Sequence, residues 1–295
     1  MIKFAILVTN RATKKILRIV SMQQHIQFYS SKPLAFIKYL LLFMIFTNTS
    51  TKVYAELKTE TVEYRLGETV LEGYLAYDKD MKGVRPGILV VHEWWGITPY
   101  IKTRAEQLAG LGYIAFAADI YGKGIRPTTM QEASAQAGNY YANRQLLCDR
   151  VLAGLAELKK QKQVDPKRIA AIGYCFGGTT VLELARSGAD IAGVVTFHGG
   201  LDNPTPDDDN NIKAKVLVQH GADDSFVNWD KVTAFRNEMS KTKVDWELIV
   251  YSGAVHSFTN PASGNDPSKG IAYNPTADRR SWAAMQMFFN EIFKK

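Results

Sequence analysis

The sequence contains little cysteine and no apolar run long enough to cross a membrane. Two cysteines, Cys148 and Cys175, occur in 295 residues. An oxidising compartment could join them. We expect them to stay apart, because Cys148 lies at helical apolar spacing with Leu147 and Val151 and fits a core position. The longest apolar run falls short of the roughly 20 residues of a spanning helix, and no internal repeat or low-complexity tract is visible.

Acidic side chains are absent from the first 55 residues, which hold eight basic ones. Lys32 and Lys38 precede a short apolar run at residues 39–46, and VYA at residues 53–55 is similar to a cleavage site. A charged start, a short apolar centre and such an ending are typical of a secretory signal peptide. We therefore expect residues 1–55 to direct export to the periplasm or the medium and then to be removed. A translation start at Met22 and an uncleaved membrane anchor are open alternatives.

Residues 56–295 carry almost no excess of charge. Eight of the 36 basic residues lie in the first 55 positions, so 28 remain against 29 acidic residues, which is a net charge of −1. Such a balance gives no reason to expect nucleic acid as a partner, and no membrane association is expected after cleavage. The 240 residues that remain are enough for one large core. We expect a single domain and a monomer.

Short apolar runs recur along this part of the chain. An alternating stretch over residues 59–77, with turn signals at Gly67 and Gly73, predicts a β-hairpin. Continuous apolar runs separated by amphipathic helical patterns are typical of parallel strands covered on both faces. These runs are residues 88–91, 114–118, 169–172, 191–197, 216–219 and 248–251. The pattern therefore predicts an α/β fold with a mostly parallel central sheet and helices on both faces.

No metal or organic cofactor is predicted. The polar stretch at residues 202–211 lacks the Gly and the distal Glu of an EF-hand loop, so we interpret it as a solvated connector rather than a calcium site. His92 and Glu93 stand side by side, but neither a second histidine at H-x-x-x-H spacing nor a cysteine cluster completes a zinc site.

The run GYCFGG at residues 173–178 joins an apolar strand to a helical pattern. This is the pattern of a nucleophile elbow, in which the central residue adopts a strained backbone and small neighbours let the chain pass close beside it. Cys175 would be that central residue. Its position at a helix N-terminus favours a thiolate. A buried cysteine beside a tight glycine turn is the alternative interpretation.

A thiol nucleophile needs a base and an acid that orients the base. His256 lies in a loop just past the last predicted strand, at the sheet edge where catalytic groups collect in open α/β sheets, and is the predicted base. Asp223 and Asp224 follow the strand at residues 216–219, and the spacing after the glycine favours Asp224, with Asp223 as a turn or capping residue. Three other histidines directly follow apolar strands and are interpreted as packed structural residues: His92, His198 and His220.

The loop after residues 88–91 supplies further candidates. In this architecture it contributes an oxyanion donor, so the N–H groups of Trp94 and Phe176 are predicted to form the oxyanion hole. Glu93 is unusual there. A carboxylate close to a thiol could hold it protonated at rest or accept its proton, while a solvated loop carboxylate is the plainer alternative.

These residues resemble the dienelactone hydrolases, with a likeness that runs in order from about Glu60 to Phe293. The motifs are EWWG at 93–96, DIYG at 119–122, GYCFGG at 173–178, GADD at 221–224, GAVHSF at 253–258, and Tyr273, Asn274 and Trp282 near the end. The resemblance implies an α/β-hydrolase fold and a Cys-His-Asp triad at Cys175, His256 and Asp224. It also implies that Glu93 shuttles the cysteine between thiol and thiolate.

The departures from that family concern the substrate. Characterised dienelactone hydrolases hold a substrate carboxylate with two arginines, and the corresponding places here are approximately Lys123 and Asn260. Lys123 could still pair with an anion as a point charge, whereas Asn260 cannot. Aromatic residues around the elbow predict an apolar or aromatic ester instead. The expected substrate contacts are Trp95, Tyr121, Lys123 and Phe258.

The expected function is hydrolysis of an ester or lactone through an acyl-cysteine, of the carboxymethylenebutenolidase type, in an exported enzyme. Deacylation is the hard step for a thiol enzyme, so a small or activated ester is the expected substrate. The alternatives are a general carboxylesterase or thioesterase, and an inactive hydrolase-fold binding protein. A cysteine peptidase on the same scaffold lacks sequence support.

Overall fold

The computed structural model of the chain describes residues 56–294, and the predicted leader at residues 1–55 lies outside them. Within the described part, eight strands form one sheet. In chain order they are β1 Leu57–Leu66, β2 Thr69–Asp78, β3 Arg85–Val91, β4 Ile114–Ala118, β5 Val164–Tyr174, β6 Gly193–Phe197, β7 Lys215–Gly221 and β8 Trp246–Tyr251.

The strand order is β1-β2-β4-β3-β5-β6-β7-β8. The β1/β2 and β2/β4 pairs are antiparallel, and every other neighbouring pair is parallel. The predicted α/β fold with a mostly parallel sheet is therefore confirmed. The α-helices of the described residues are α1 Pro99–Gly110, α2 Met130–Ala142, α3 Arg144–Lys159, α4 Phe176–Arg186, α5 Trp229–Met239 and α6 Pro275–Ile292.

Two apolar layers, one on each face of the sheet, form the core. Along β3, Ile88 and Val90 pack in the layer that contains α1 and α6, whereas Leu89 and Val91 pack in the layer that contains α3, α4 and α5. Successive residues of a strand point to opposite faces. A strand buried on both sides therefore needs an unbroken apolar run, which is the pattern seen in the sequence.

Two of the sequence-based interpretations are wrong in detail. Gly67 makes the β1–β2 turn with φ of +54°, but Gly73 lies inside β2, where a Cβ would come within 2.3 Å of the Phe116 ring. The absence of a side chain at Gly73 therefore allows the Phe116 ring to pack there, and Gly73 does not form a turn. The stretch at residues 202–211 is not wholly solvated, because it contains the short helix Pro206–Asn211 and the buried Asp209.

Both cysteines are free, as expected. Among residues 56–294, no helix combines the length and apolar character that crossing a membrane would require. The same residues contain no group of three or more His, Cys, Asp or Glu side chains that could hold a metal ion.

Candidate active site

The turn between β5 and α4 has the geometry of a nucleophile elbow. Cys175 is the N-cap of α4 and has φ of 53° and ψ of −112°. Residues other than glycine rarely adopt this backbone conformation. A Cβ on Gly173 would lie 1.9 Å from the Gly177 carbonyl oxygen, and a Cβ on Gly177 would lie 2.3 Å from the Val91 carbonyl oxygen. The two glycines therefore allow the chain to pass through the turn.

Cys175, His256 and Asp224 form a continuous chain of polar contacts. The Nε2 atom of His256 lies 3.1 Å from Cys175 Sγ, and its Nδ1 atom lies 2.8 Å from Asp224 Oδ2. The other carboxylate oxygen of Asp224 accepts hydrogen bonds from the backbone N–H groups of Phe226 and Val227, at 2.9 and 3.0 Å. The neighbouring Asp223 is exposed. The contact with His256 is therefore made by Asp224, the carboxylate that the spacing after the glycine favoured.

The charges of these groups support one another. Burial opposes a charge on His256, but Cys175 and the hydrogen bond to Asp224 outweigh it and raise the pKa of His256 to about 10. Burial also opposes ionisation of Asp224, yet the hydrogen bonds from His256 and the Val227 amide keep its pKa below the ordinary value. At neutral pH His256 therefore carries a proton on both ring nitrogens and lies between the Cys175 sulfur and the Asp224 carboxylate.

Glu93 lies on the wall of the same cavity as Cys175, but its hydrogen bonds are made elsewhere. Its Oε1 accepts from Ser257 Oγ at 2.9 Å and its Oε2 accepts from Asn260 Nδ2 at 2.6 Å. Burial raises the pKa of Glu93, while the two donors act in the opposite direction. The carboxylate thus ties the loop after β3 to the loop that carries His256.

The two predicted oxyanion donors come from the residue after Cys175 and from the loop after β3. Phe176 is the first residue of α4, where a backbone N–H has no partner within the helix. Trp94 lies on the cavity wall, and its carbonyl oxygen accepts a hydrogen bond from the Tyr121 hydroxyl at 3.0 Å. That bond holds the peptide group between Trp94 and Trp95, which follows the one that carries the Trp94 N–H.

A cavity of about 980 Å³ opens in front of Cys175. Its wall includes Glu93, Trp94, Trp95 and His256, so the structure brings these predicted residues together. Apolar side chains that the sequence did not single out complete much of the remaining wall: Met130, Tyr141, Phe226, Val227 and Ile271. A large, mainly apolar cavity with a few convergent polar groups is typical of a small-molecule site.

Three predicted substrate contacts require correction. Tyr121 is buried, and its hydroxyl is used by the Trp94 carbonyl. Phe258 is also buried, with its ring packed against His198 and Tyr251. The ammonium group of Lys123 pairs with the Glu63 carboxylate on the exposed surface. None of the three side chains lines the cavity, and a motif alone does not specify the partners that hold them elsewhere.

The other three histidines have defined neighbours of their own. The Nδ1 atom of His92 contacts the Glu93 carbonyl oxygen at 2.6 Å, its Nε2 accepts from the Ile120 N–H at 3.3 Å, and burial lowers its pKa to about 4. His220 packs edge-on against Trp229. His198 differs, because its ring contacts the backbone of Cys175. The only sequence feature that pointed to this contact was the position of His198 directly after a predicted strand.

The eight-stranded sheet, the elbow and the cavity at its carboxyl edge define an α/β-hydrolase. The family model of the dienelactone hydrolase family matches residues 71–293. The chain therefore belongs to the dienelactone hydrolase family, as the resemblance predicted, and is a hydrolase of that type.

Individual relatives agree with this assignment. "Protein usf" of Aquifex pyrophilus is 30% identical over 236 residues, which are 79% of this chain and 98% of that protein. The solved structure of P91, a dienelactone hydrolase-like promiscuous phosphotriesterase from metagenomic libraries, is 41% identical, with a TM-score of 0.77 and coverage of 81% of this chain and 99% of its own. Dienelactone hydrolase from Anabaena variabilis shares the fold, with a TM-score of 0.56 and 19% identity over 78% of this chain and 98% of its own.

Proposed function

We propose that the protein hydrolyses a carboxylic ester or lactone through an acyl-cysteine intermediate formed on Cys175. The observation that carries the proposal is the chain of contacts from Asp224 through His256 to the sulfur of Cys175, at 2.8 and 3.1 Å. A nucleophile, a base and an orienting acid within hydrogen-bond reach are what covalent acyl transfer requires.

In the first step, the Cys175 thiolate attacks the carbonyl carbon and forms a C–S bond. The N–H groups of Phe176 and Trp94 stabilise the oxyanion. The tetrahedral intermediate then breaks the C–O bond to the alcohol, and the departing oxygen takes the Nε2 proton of His256. Because the raised pKa of His256 keeps this proton in place at neutral pH, the site is prepared to protonate a leaving group.

In the second step, the neutral His256 accepts a proton from a water molecule, and the resulting hydroxide attacks the acyl carbon. Collapse of the second intermediate breaks the C–S bond and releases the carboxylic acid. The thiolate and the imidazolium are thereby restored. Asp224 keeps Nδ1 protonated and the ring oriented throughout.

The cavity favours an apolar or aromatic ester. Trp94, Trp95 and Phe226 form part of its wall, and neither of the places expected to hold a carboxylate does so. Lys123 pairs with Glu63, and the Asn260 amide is bonded to Glu93. The cavity wall also holds two cations, but Arg144 pairs with Asp202, and Lys231 donates to the Phe226 carbonyl oxygen. A lactone that depends on two arginines for its carboxylate is therefore a weaker candidate than an uncharged aryl ester.

Hydrolysis of a p-nitrophenyl ester, a dienelactone and a thioester by the purified protein tests this function. Cys175→Ala is the inactive control, and Cys148→Ala is the matched variant that removes the other thiol. Activity that Cys175→Ala abolishes and Cys148→Ala retains supports the proposal. Rapid alkylation of Cys175 without turnover of any ester would show that the thiol is activated and that the substrate belongs to another class. Neither alkylation nor turnover would instead support a hydrolase-fold binding protein.

A phosphotriester is a second candidate substrate. The support is the 41% identity to P91, which is described as a promiscuous phosphotriesterase. A thiolate can displace an aryloxide from phosphorus with the same oxyanion donors. The test uses a phosphotriester that carries a p-nitrophenyl group. Release of p-nitrophenol in a single stoichiometric burst would indicate a phosphorylated cysteine that is not hydrolysed, whereas continuous release would indicate turnover.

We also propose that the enzyme is exported. The support is the pattern of basic and apolar residues in positions 1–55. Intact-mass measurement of protein recovered from outside the cytoplasm tests this. We expect the mass of a chain that begins at or near Glu56, and the mass of a chain that still carries residues 1–55 would contradict cleavage.

A further inference from the structure

His198 contacts the backbone of the nucleophile and does not line the cavity. It follows β6 directly, is fully buried and has φ of 43°. Its Nδ1 accepts a hydrogen bond from the backbone N–H of Cys175 at 3.2 Å, and the same N–H also points to the Phe197 carbonyl oxygen at 3.0 Å. The amide of the strained residue is thus shared between a backbone acceptor and the imidazole.

The contact determines which nitrogen of His198 carries the proton. An Nδ1 atom that accepts from an N–H has no proton of its own, so Nε2 carries it and donates to Thr259 Oγ1 at 2.7 Å. Burial lowers the pKa of His198 well below its ordinary value. The ring is therefore neutral and available as an acceptor.

Thr259 lies three residues after His256 and is itself held from the other side. Its Oγ1 accepts from the Tyr100 hydroxyl at 2.7 Å, and its carbonyl oxygen accepts from the buried Arg104 guanidinium at 2.8 Å. The His198 ring also lies edge-on to the His256 ring, with centroids 5.2 Å apart. One side chain thus contacts both the backbone of the nucleophile and the loop of the base.

We propose that His198 is a positioning residue that sets the separation between Cys175 Sγ and His256 Nε2. The inference rests on the proposed function. Its Nδ1 fixes the elbow and its Nε2 fixes Thr259, so the two loops cannot shift independently. A displacement of about 1 Å between reacting groups can cost about 100-fold in rate.

Substitutions at position 198 separate positioning from simple packing. His198→Phe keeps a ring of similar size and removes both hydrogen bonds. His198→Asn places Oδ1 near the position of Nδ1, so it retains an acceptor for the Cys175 amide and loses the contact with Thr259. Thr259→Val keeps His198 and removes the Oγ acceptor.

The readouts are kcat and KM for a p-nitrophenyl ester, together with the pH profile of Cys175 alkylation by iodoacetamide. Cys175→Ala supplies the background from Cys148. We expect His198→Phe to lower kcat about 100-fold with KM changed by no more than about twofold and to shift the alkylation profile to higher pH. We expect His198→Asn to recover kcat to within about tenfold of the wild type, because the elbow contact is kept.

A folded His198→Phe variant with the wild-type kcat and alkylation profile would overturn the proposal. If that variant does not fold, Thr259→Val carries the test, and wild-type values of both quantities in Thr259→Val then overturn it. Should the wild type hydrolyse no ester, the proposed function fails, but the alkylation profile still tests His198, since iodoacetamide needs no substrate site.

Discussion

The carboxylate of Glu93 accepts a hydrogen bond from the Asn260 amide nitrogen at 2.6 Å. Asn260 lies where the family resemblance suggested a substrate-binding arginine, and here its amide is engaged by a buried carboxylate instead. Ser257, the residue after His256, donates to the other oxygen of Glu93. Glu93 therefore stabilises the arrangement of two site loops.

Glu93→Ala should reduce both stability and activity. It removes the acceptor of the buried Asn260 amide and of the Ser257 hydroxyl. Leaving a buried donor without a partner costs about 1–3 kcal/mol in the free energy of unfolding, measurable by urea denaturation. The exposed Asp223→Ala is the matched control and should be neutral. Loss of activity with unchanged stability would show that Glu93 acts on the thiol instead.

The imidazolium of His256 should persist above neutral pH. Its pKa is raised from 6.5 to about 10, so the stability that it contributes is complete below about pH 6.5 and is lost as the pH rises towards 10. NMR of the labelled imidazole should show a protonated ring at pH 8 in the wild type. In Cys175→Ala, the pKa of His256 should fall. Titration of the wild-type ring near 6.5 would contradict the ion pair.

Gly177→Ala should prevent formation of a stable elbow. Its Cβ would lie 2.3 Å from the Val91 carbonyl oxygen and 2.7 Å from that of His92, and backbone atoms of a central strand cannot move aside. We expect a loss of at least about 3 kcal/mol, at the upper end of overpacking costs. Gly138→Ala is the matched control. Gly138 is exposed within α2 with open space at its Cβ, so thermal denaturation should show a gain of about 0.5–1 kcal/mol.

Asp209→Ala should destabilise the protein. Its carboxylate accepts from Arg186 Nε at 2.9 Å, and both side chains are about 2% exposed. Arg186 keeps its ion pair with Glu183 at 2.8 Å, so the loss is that of one buried hydrogen bond to a charged group, about 1–3 kcal/mol. The exposed Asp207→Ala, two residues earlier in the same short helix, should change the free energy of unfolding little. Equal effects of the two substitutions would show that the pair is not important for stability.

Local pattern was enough to predict the sheet, the elbow and the residues that meet at Cys175. Residues 114–118 form a strand with the predicted bounds, because a doubly covered strand needs an unbroken apolar run. His256 and Asp224 were found from their places after strands, since the carboxyl ends of parallel strands share one edge of a sheet.

Long-range partners could not be predicted in this way. Lys123 was expected at the substrate because of a motif, but its place is set by Glu63 on β1, 60 residues away. Asp209 looked like a solvated loop residue, although Arg186 of α4 makes it part of the core. Gly73 suggested a turn because nothing local indicated that the Phe116 ring would cover it.

The central claim is the covalent bond to Cys175, and intact-mass measurement during turnover of an aryl ester tests it most directly. The protein is mixed with the ester, quenched with acid at successive times and digested to locate any added mass. The account predicts an acyl adduct on Cys175 that forms with the burst of phenol, decays by hydrolysis and is absent from Cys175→Ala. Full turnover with no adduct on Cys175, or unchanged activity in Cys175→Ala, would contradict it.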